Sequence, residues 1–448
     1  MIFWGKFKTS STQLIALGFL LIILLGAFAL SLPAANRSGQ RLQFLDALFT
    51  ATSATCVTGL VVHDTYTQFS LFGQIVILLL IQIGGLGFMT VATLFLMMAK
   101  RRIGLAERGV LAETVSAFHI GGIVRLIRRI LLCVGIFELT GAILLYIRFA
   151  PQMGAVTGAY YAVFHAVSAF CNAGFDLMGR FEPYTSLVPY RGDALVNLTV
   201  MTLIIVGGLG FVVWDDLIEH RLRLSRCRLH TKVVLVSTLI LITLGAIMFY
   251  WLERDHSLAL MNGGERLLAS LFQSVTPRTA GFNTVDTAAM GEGGTVLSML
   301  LMMIGASPGS TGGGMKTTTV VVIILSTVSY IRNSDDINLF HRRLDDSVLK
   351  RAYGNATIYL MLALSGIFLL MVTQGLPLKE VSFEVMSAIG TVGLSTGITR
   401  ELNGLSRLII IALMYSGRVG SLPLAMVLAA RMSRAAGLRN PQEKIIVS

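Results

Sequence analysis

A short motif occurs four times along this chain, and long hydrophobic stretches flank every copy. Three copies fit the pattern Phe-x-x-x-Ser-Ala-x-x-x-x-Gly: FTATSATCVTGL from residue 49, FHAVSAFCNAGF from 164 and FEVMSAIGTVGL from 383. A further copy, FQSVTPRTAGF from residue 272, is one residue shorter. Because successive copies lie roughly 110 residues apart, the sequence predicts four tandem repeats.

The flanking stretches are long enough to cross a membrane. Hydrophobic residues make up 54% of the chain and charged residues 13%, which leaves more apolar surface than soluble domains can bury. A bilayer core is roughly 30 Å thick and takes about 20 apolar residues to span as a helix. The first span is interpreted as retained, with a signal anchor as the alternative. We predict eight transmembrane helices, near residues 14–32, 72–98, 130–149, 195–214, 233–251, 296–330, 354–373 and 405–429.

Each motif is too short and too polar to cross the bilayer, so we interpret it as a re-entrant segment between two crossings. With two crossings per repeat, all repeats have the same orientation and can surround an axis along the membrane normal. The predicted fold is an all-α integral membrane protein with four parallel helix, pore loop, helix repeats around a central pore, as in potassium channels. The predicted repeats are 1–100, 101–222, 223–335 and 336–448, with pore loops near 44–60, 160–175, 266–282 and 380–394.

The location of the basic residues predicts the orientation. A net charge of +12 would suggest a nucleic-acid partner in a soluble protein, but most of the 36 Lys and Arg residues lie on the side of the predicted membrane that holds both termini. Cytoplasmic loops of membrane proteins are enriched in Lys and Arg. We therefore predict a multi-pass protein of the plasma (inner) membrane with cytoplasmic N- and C-termini, surrounded by lipid and without a nucleic-acid partner.

The end of each motif predicts a cation-binding loop. Non-helical backbone is tolerated at membrane depth only where it is buried in protein or lines water. Few carboxylates lie near the motif glycines, which favours coordination of a dehydrated monovalent cation by backbone carbonyls, and glycine lets such carbonyls point inward. A simple turn is the alternative role of each glycine. The predicted selectivity filter, with K⁺ as its ion, consists of Val57, Thr58, Gly59, Asn172, Ala173, Gly174, Thr279, Ala280, Gly281, Thr391, Val392 and Gly393.

The stretch 296–330 is too long for one straight crossing, because a helix rises 1.5 Å per residue. Its glycine-rich middle, IGASPGSTGGGMKTTT, predicts a break within 305–316. Lys316 and Arg418 lie within predicted spans, where a charge is costly unless it faces a cavity or a partner. Arg418 aligns with Gly85 of the first repeat, so we expect it to face the pore, pair with loop carbonyls and raise a barrier to cations. Snorkelling to the membrane surface is the alternative. We interpret Glu138 as a buried structural carboxylate bonded to a neighbouring repeat.

The motifs SATCVTGL, FCNAGF, VTPRTAGFNT, IQIGGLGFMT and IGASPGSTGGGMKTTT resemble those of a superfamily of potassium transporters. This superfamily includes the bacterial Trk and Ktr membrane subunits and the plant high-affinity potassium transporters. The resemblance covers the chain from Leu14 to Arg434. The short segment before the first pore loop favours the Ktr type of membrane subunit, KtrB.

This resemblance implies potassium uptake, with sodium either coupled or stimulatory, by a homodimer whose subunits each carry a pore. It also implies regulation by a cytoplasmic, KtrA-like ring of nucleotide-binding subunits. No organic cofactor is expected, because the chain has no P-loop and no dinucleotide fingerprint. In the family, the segment equivalent to 305–316 lies beneath the filter and obstructs the pore. The gate implied in this way, together with Arg418, consists of Gly305, Gly309, Ser310, Thr311, Gly312, Gly313, Gly314 and Lys316.

Two other classes of function are open. A secondary carrier for ammonium or sodium would fit a membrane protein, but such carriers usually have inverted repeats and intramembrane carboxylates. A membrane enzyme is less compatible, because the seven histidines are scattered along the sequence and no nucleophile motif is present. Four dispersed cysteines are also too few for a disulfide framework or a metal cluster. We therefore predict that the chain is not an enzyme.

Overall fold

The structure is a computed structural model that describes residues 11–98, 104–116, 122–334, 336–340 and 342–420. Both termini, which were predicted to be cytoplasmic, and the end of the last predicted span lie outside these residues. Within them the chain is helical, apart from loops and one antiparallel hairpin formed by β1 (Asn338–Leu339) and β2 (Arg342–Arg343). The prediction of an all-α protein is confirmed.

Each repeat begins with a long apolar helix whose leucine and isoleucine side chains remain largely exposed, as expected of a surface that faces lipid. These four helices are long and apolar enough to cross a membrane, and a bent helix pair in the described residues would make a fifth span. The predicted number of eight crossings therefore stays a prediction. The long helices are α1 (Ser11–Ser31), α7 (Ile123–Met153), α11 (Leu229–Leu252) and α15 (Asp346–Gln374).

Polar side chains begin several of the helices. The side chain of Asp345 accepts a hydrogen bond from the backbone N–H of Ser347 at the start of α15, and this bond lowers the pKa of the Asp345 carboxyl. Asn262 accepts a hydrogen bond from the backbone N–H of Glu265, and the side chain of Glu265 accepts one from the backbone N–H of Asn262. These caps satisfy donors that a helix leaves unpaired at its start.

A shorter, largely buried helix follows each long one and precedes the end of a motif. The phenylalanine that opens each motif is fully buried on this helix: Phe49, Phe164, Phe272 and Phe383. Two of these helices fill the first part of the predicted pore loops near 44–60 and 160–175, and the second of them begins earlier, at Ala155. These helices, called pore helices below, are α2 (Phe44–Thr55), α8 (Ala155–Phe170), α12 (Gly263–Val275) and α16 (Leu378–Gly390).

The last hydrophobic stretch is interrupted in each of the first three repeats. Gly87 (φ +80°) separates α4 (Leu71–Leu86) from α5 (Phe88–Met98), and Gly210 (φ +98°) separates α9 (Ala194–Leu209) from α10 (Phe211–Glu219), with a bend of 90°. The stretches 72–98 and 195–214 are thus not continuous helices, because a left-handed glycine ends the first helix of each pair, and their crossing of the membrane stays a prediction.

The third repeat breaks as predicted. There, α13 (Glu292–Met303) and α14 (Thr317–Ile331) are separated by the glycine-rich loop, residues 305–316. In the fourth repeat, α17 (Gly404–Val419) ends at Gly420, which also has a positive φ. The connecting segments contain the short helices α3 (Thr65–Gln68) and α6 (Leu105–Thr114).

Candidate functional site

The ends of the four motifs meet around one centre. We call residues 57–59, 172–174, 279–281 and 391–393 the four triplets; each contains three of the predicted filter residues. A Cβ added to the glycine of one triplet would collide with the carbonyl oxygen of the middle residue of the next triplet. The pairs are Gly59 with Ala173 (2.6 Å), Gly174 with Ala280 (2.8 Å), Gly281 with Val392 (2.5 Å) and Gly393 with Thr58. Because the last pair returns to the first triplet, the contacts close into a ring.

The backbone of every triplet has the same unusual conformation. The glycines have φ values of 96°, 67°, 82° and 94° in chain order. The first residue of each triplet is also left-handed, although it carries a Cβ, and such residues adopt a positive φ only rarely. Their φ values are 57° for Val57, 59° for Asn172, 73° for Thr279 and 52° for Thr391.

Hydrogen bonds to the pore helices orient the first peptide of each triplet. The N–H of every middle residue donates to a backbone carbonyl in the last turn or at the end of the adjacent pore helix. In a trans peptide the carbonyl points away from the N–H, so the carbonyl of the first residue points away from the pore helix and toward the centre. The pairs are Thr58 with Ser53 (2.8 Å), Ala173 with Ser168 (2.8 Å), Ala280 with Thr276 (3.0 Å) and Val392 with Ser387 (2.8 Å).

The ends of the pore helices pack closely against three later helices: α4, α9 and α17. A Cβ on Gly84 would collide with the carbonyl oxygen of Thr55, and one on Gly417 with that of Ile389. Gly207 meets the carbonyl oxygen of Phe170 in the same way. These glycines therefore allow close helix packing beside the triplets. The four pore helices also end here, and helix C-termini carry a partial negative charge that favours a cation.

The glycine-rich loop lies against the triplets on the side of their first residues. The N–H of Gly313 donates to Oγ1 of Thr391 at 3.1 Å, and a Cβ on Gly312 would collide with Oγ1 of Thr279. The hydroxyl of Thr311 donates to the carbonyl of Phe170 at 3.1 Å, at the end of α8. The loop therefore contacts three of the four repeats immediately beside the triplets.

The remaining predicted gate residues anchor the loop rather than contact a triplet. The N–H of Gly305 donates to the carbonyl of Met315 at 2.8 Å, and the carbonyl of Gly309 accepts from the N–H of Phe211 at 2.7 Å. The hydroxyl of Ser310 donates within the loop, to the carbonyl of Ser307. Gly314 lies near Gly390, since a Cβ on Gly314 would be 3.0 Å from the Gly390 carbonyl oxygen.

Lys316 and Arg418, the two basic residues within predicted spans, donate hydrogen bonds to backbone carbonyls. Nζ of Lys316 donates to the carbonyl of Gly312 at 2.8 Å. The guanidinium of Arg418 donates to the carbonyls of Thr311, Gly84 and Gly85, the last at 3.1 Å. Among the described residues, neither cation forms an ion pair with a carboxylate. The expected contact of Arg418 with a loop carbonyl is present.

Other polar residues singled out by the sequence have structural partners. Nε2 of Gln82, on α4 in the first repeat, donates to Glu138 on α7 at 3.0 Å, as the interpretation of Glu138 as a carboxylate bonded to a neighbouring repeat requires. Oε1 of Gln82 accepts from the thiol of Cys171 at 3.4 Å. The four cysteines, all of which are described, are free thiols.

The sequence did not reveal a cluster formed by Asp216, His220 and Cys227, whose possible ligand atoms all lie within 4.8 Å of one another. One carboxylate oxygen of Asp216 accepts hydrogen bonds from the N–H of Arg228, at 2.9 Å, and from the hydroxyl of Thr231. Nε of Arg228 lies 3.7 Å from the other oxygen. Since the guanidinium of Arg228 already lies beside this carboxylate, we interpret the cluster as a structural contact that joins α10 to the start of α11.

The hydroxyl groups in the motifs were also assigned no role from the sequence. Ser53, Ser168, Thr276 and Ser387 occupy the same motif position and are fully buried. Each hydroxyl forms a hydrogen bond with the loop that contains its triplet. The recurrence of a serine or threonine at one position of all four copies was the sequence pattern that could have revealed them.

The chain matches the family model of TrkH, described as a cation transport protein, over residues 9–436. It is 41% identical to the Ktr system potassium uptake protein B of Bacillus subtilis, covering 99% of this chain and 97% of that protein. It is 40% identical to the potassium/sodium uptake protein NtpJ of Enterococcus hirae, covering 98% of both. The crystal structure of the potassium transporter TrkH from Vibrio parahaemolyticus matches with a TM-score of 0.76 at 17% identity, covering 96% of this chain and 87% of that one.

These matches and the fold define a membrane transport protein built from apolar helices. The chain belongs to the TrkH family of cation transport proteins. The predicted resemblance to the Trk and Ktr membrane subunits is thereby confirmed.

Proposed function

We propose that this chain mediates potassium uptake through a selective pore whose filter is formed by the four triplets. The observation that carries the proposal is the closed ring of contacts between each triplet glycine and the carbonyl of the next triplet. Carbonyl oxygens that face a common centre can replace the hydration shell of a dehydrated cation. The names of the relatives from B. subtilis and E. hirae, both of which are uptake proteins for potassium or for potassium and sodium, support the choice of ion.

The glycine-rich loop acts as the gate in this proposal. It contacts the triplets through Gly312 and Gly313, and Lys316 and Arg418 bring two positive charges to the same region. A positive charge in a medium of low dielectric constant raises the energy of a nearby cation. Transport then requires the loop to move away from the filter. This movement breaks the hydrogen bond by which Arg418 holds the loop.

The proposed assembly is a homodimer in the plasma (inner) membrane, with cytoplasmic termini and a KtrA-like cytoplasmic ring that controls the gate. The name of the B. subtilis relative places that protein in a multi-component Ktr system, which supports a partner for this chain as well. Sodium is proposed to stimulate uptake; the name of the E. hirae relative, a potassium/sodium uptake protein, supports a role for sodium. The chain itself is proposed to be a transporter and not an enzyme.

Flux measurements in proteoliposomes test the proposal. The purified chain is reconstituted with and without a KtrA-like subunit, and K⁺ and Na⁺ uptake are measured separately and in competition. We expect K⁺ uptake that exceeds Na⁺ uptake, that Na⁺ stimulates and that depends on the added subunit. Equal uptake of both ions would contradict a potassium filter, and uptake that the subunit leaves unchanged would contradict the proposed regulation.

A carrier that works by alternating access is the competing proposal. Such a mechanism commonly uses an intramembrane carboxylate that binds and releases the ion. Glu138 is the carboxylate to consider, but its oxygens accept hydrogen bonds from Gln82 and it lies on the first helix of the second repeat.

A further inference from the structure

The motif hydroxyls hold the four triplets in two different ways. In the first and fourth repeats the hydroxyl accepts from the N–H of the triplet glycine. The bonds run from Gly59 to Ser53 and from Gly393 to Ser387, each at 3.0 Å. In the second and third repeats the hydroxyl instead donates to the carbonyl of the residue after the glycine, from Ser168 to Phe175 at 2.7 Å and from Thr276 to Phe282.

The two kinds of hydrogen bond constrain different peptide groups. The N–H of Gly59 belongs to the same trans peptide as the carbonyl of Thr58, and the two groups point in opposite directions. Because Ser53 holds this N–H on the side of the pore helix, the Thr58 carbonyl must point to the opposite side, away from the pore helix. This carbonyl oxygen is the atom that faces Gly393 of the fourth triplet.

The same reasoning applies to the fourth repeat. Ser387 holds the N–H of Gly393, so the Val392 carbonyl points toward Gly281 of the third triplet. By contrast, the Ser168 hydroxyl holds the carbonyl of the Phe175–Asp176 peptide, which lies beyond the ring of middle-residue carbonyls. Two of the four carbonyls in this ring are therefore fixed by a hydroxyl, and both belong to neighbouring triplets.

We propose that Ser53 and Ser387 are positioning residues for ion selectivity, which they control by preventing rotation of the Thr58–Gly59 and Val392–Gly393 peptides. This inference rests on the proposed filter function and adds the side chains that set its geometry. Loss of either hydroxyl leaves a buried N–H without its partner, and a rotated peptide would satisfy that N–H at the expense of an ion-facing carbonyl.

The matched variants are Ser53→Ala, Ser387→Ala and Ser168→Ala. All three remove one hydrogen bond of a fully buried hydroxyl, so they are expected to lower thermal stability by similar amounts. The preference for K⁺ over Na⁺, measured by competition in proteoliposomes, should fall about fivefold in Ser53→Ala and Ser387→Ala. It should fall less than about twofold in Ser168→Ala. Ser53→Thr should retain the preference, because Thr276 occupies the equivalent position in the third repeat.

Gly59→Ser, measured in the same assay, separates the two proposals. If it lowers the preference while Ser53→Ala and Ser387→Ala do no more than Ser168→Ala, the positioning role is wrong and the filter stands. If neither the glycine nor the serine variants change the preference, the filter proposal fails and the positioning role fails with it. Should an alanine variant not fold, Ser53→Cys, which keeps the size but accepts a hydrogen bond poorly, must show the same loss or the proposal is overturned.

Discussion

The guanidinium of Arg418 donates a hydrogen bond to the carbonyl oxygen of Thr311, so α17 of the fourth repeat is bonded directly to the glycine-rich loop of the third. The same guanidinium reaches the carbonyls of Gly84 and Gly85, at the end of α4 in the first repeat. One side chain thus joins three repeats beside the triplets. Any movement of the loop away from the triplets has to break this contact.

Arg418→Ala is expected to raise basal K⁺ flux in proteoliposomes that lack a regulatory subunit. The substitution removes a positive charge and the bond that holds the loop; hydrogen bonds to charged groups contribute about 1.5–3 kcal/mol each. A loss of this size favours the open state by about tenfold or more.

Arg407→Ala is the matched control, because Arg407 lies on the same helix but forms an ion pair with Asp46 on α2. It should lower thermal stability without raising basal flux. Equal flux increases in both variants would mean that general loosening of α17, rather than release of the loop, opens the pore.

The sequence predicted the helical fold and the break at 305–316 because both depend on local patterns. The motif phenylalanines and glycines recur at fixed positions, and a glycine-rich run within a long hydrophobic stretch disfavours a continuous helix. The interruptions at Gly87 and Gly210 were missed, because a single left-handed glycine in a hydrophobic stretch does not differ in composition from a glycine that packs in a helix.

The partners of the site were harder to predict than its residues. Val57 and Thr391 have a left-handed φ although they carry a Cβ, and composition does not reveal this conformation. The contact of Arg418 with a loop carbonyl was predicted from alignment of the repeats. Its further contacts with Gly84 and Gly85 join residues far apart in sequence, so they required the folded structure.

Serine at each triplet glycine is expected to lower selectivity. In Gly59→Ser and Gly281→Ser, the new Cβ would lie 2.6 and 2.5 Å from the carbonyl oxygen of the next triplet, so that carbonyl must move. A loss of about 1.4 kcal/mol in the difference between the binding free energies of K⁺ and Na⁺ would reduce the preference for K⁺ tenfold. We expect the same direction of change in Gly174→Ser and Gly393→Ser, measured by ion competition.

Gly375→Ser controls for backbone strain. Gly375 also has a positive φ, of 65°, but nothing lies within 4 Å of an added Cβ. It should lose about 1 kcal/mol of stability from strain and keep its selectivity. Unchanged ion preference in all four triplet variants would remove the filter assignment.

Glu138→Gln distinguishes a pore from a carrier with an intramembrane acid. In a pore, the side chain serves to bond α7 to Gln82 on α4, so the variant should keep K⁺ uptake and its pH profile while stability changes by about 1 kcal/mol. In a carrier that uses this carboxylate, uptake should be lost or become independent of pH. Gln82→Leu, which removes the same bond from the other side, shows whether any effect comes from the bond or from the acid.

The orientation of the chain can be tested with topology reporters. A cysteine at Arg223, between α10 and α11, or at Arg343, in β2, should react with an impermeant reagent only from the cytoplasmic side, in a background without the native cysteines. A cysteine at Arg180, which follows the second triplet, should react only from outside. The opposite accessibility would reverse the proposed orientation of the chain in the membrane.

Deletion of residues 308–314 tests the gate itself. If this part of the loop obstructs the pore, its removal should raise basal K⁺ flux and make flux less dependent on the cytoplasmic subunit, because the closed state loses Gly312 and Gly313 beside Thr279 and Thr391.

Combined with Arg418→Ala, the deletion should give less than the sum of the two separate effects on the free energy of opening. Arg418 acts partly through the carbonyl of Thr311, which the deletion removes, and changes that share a partner are not additive. Flux is compared in the single and double variants, with protein amount and thermal stability measured for each. A folded deletion variant with normal or reduced flux would leave the loop as a structural link between repeats, and additive effects would mean that Arg418 acts elsewhere, through its bonds to Gly84 and Gly85.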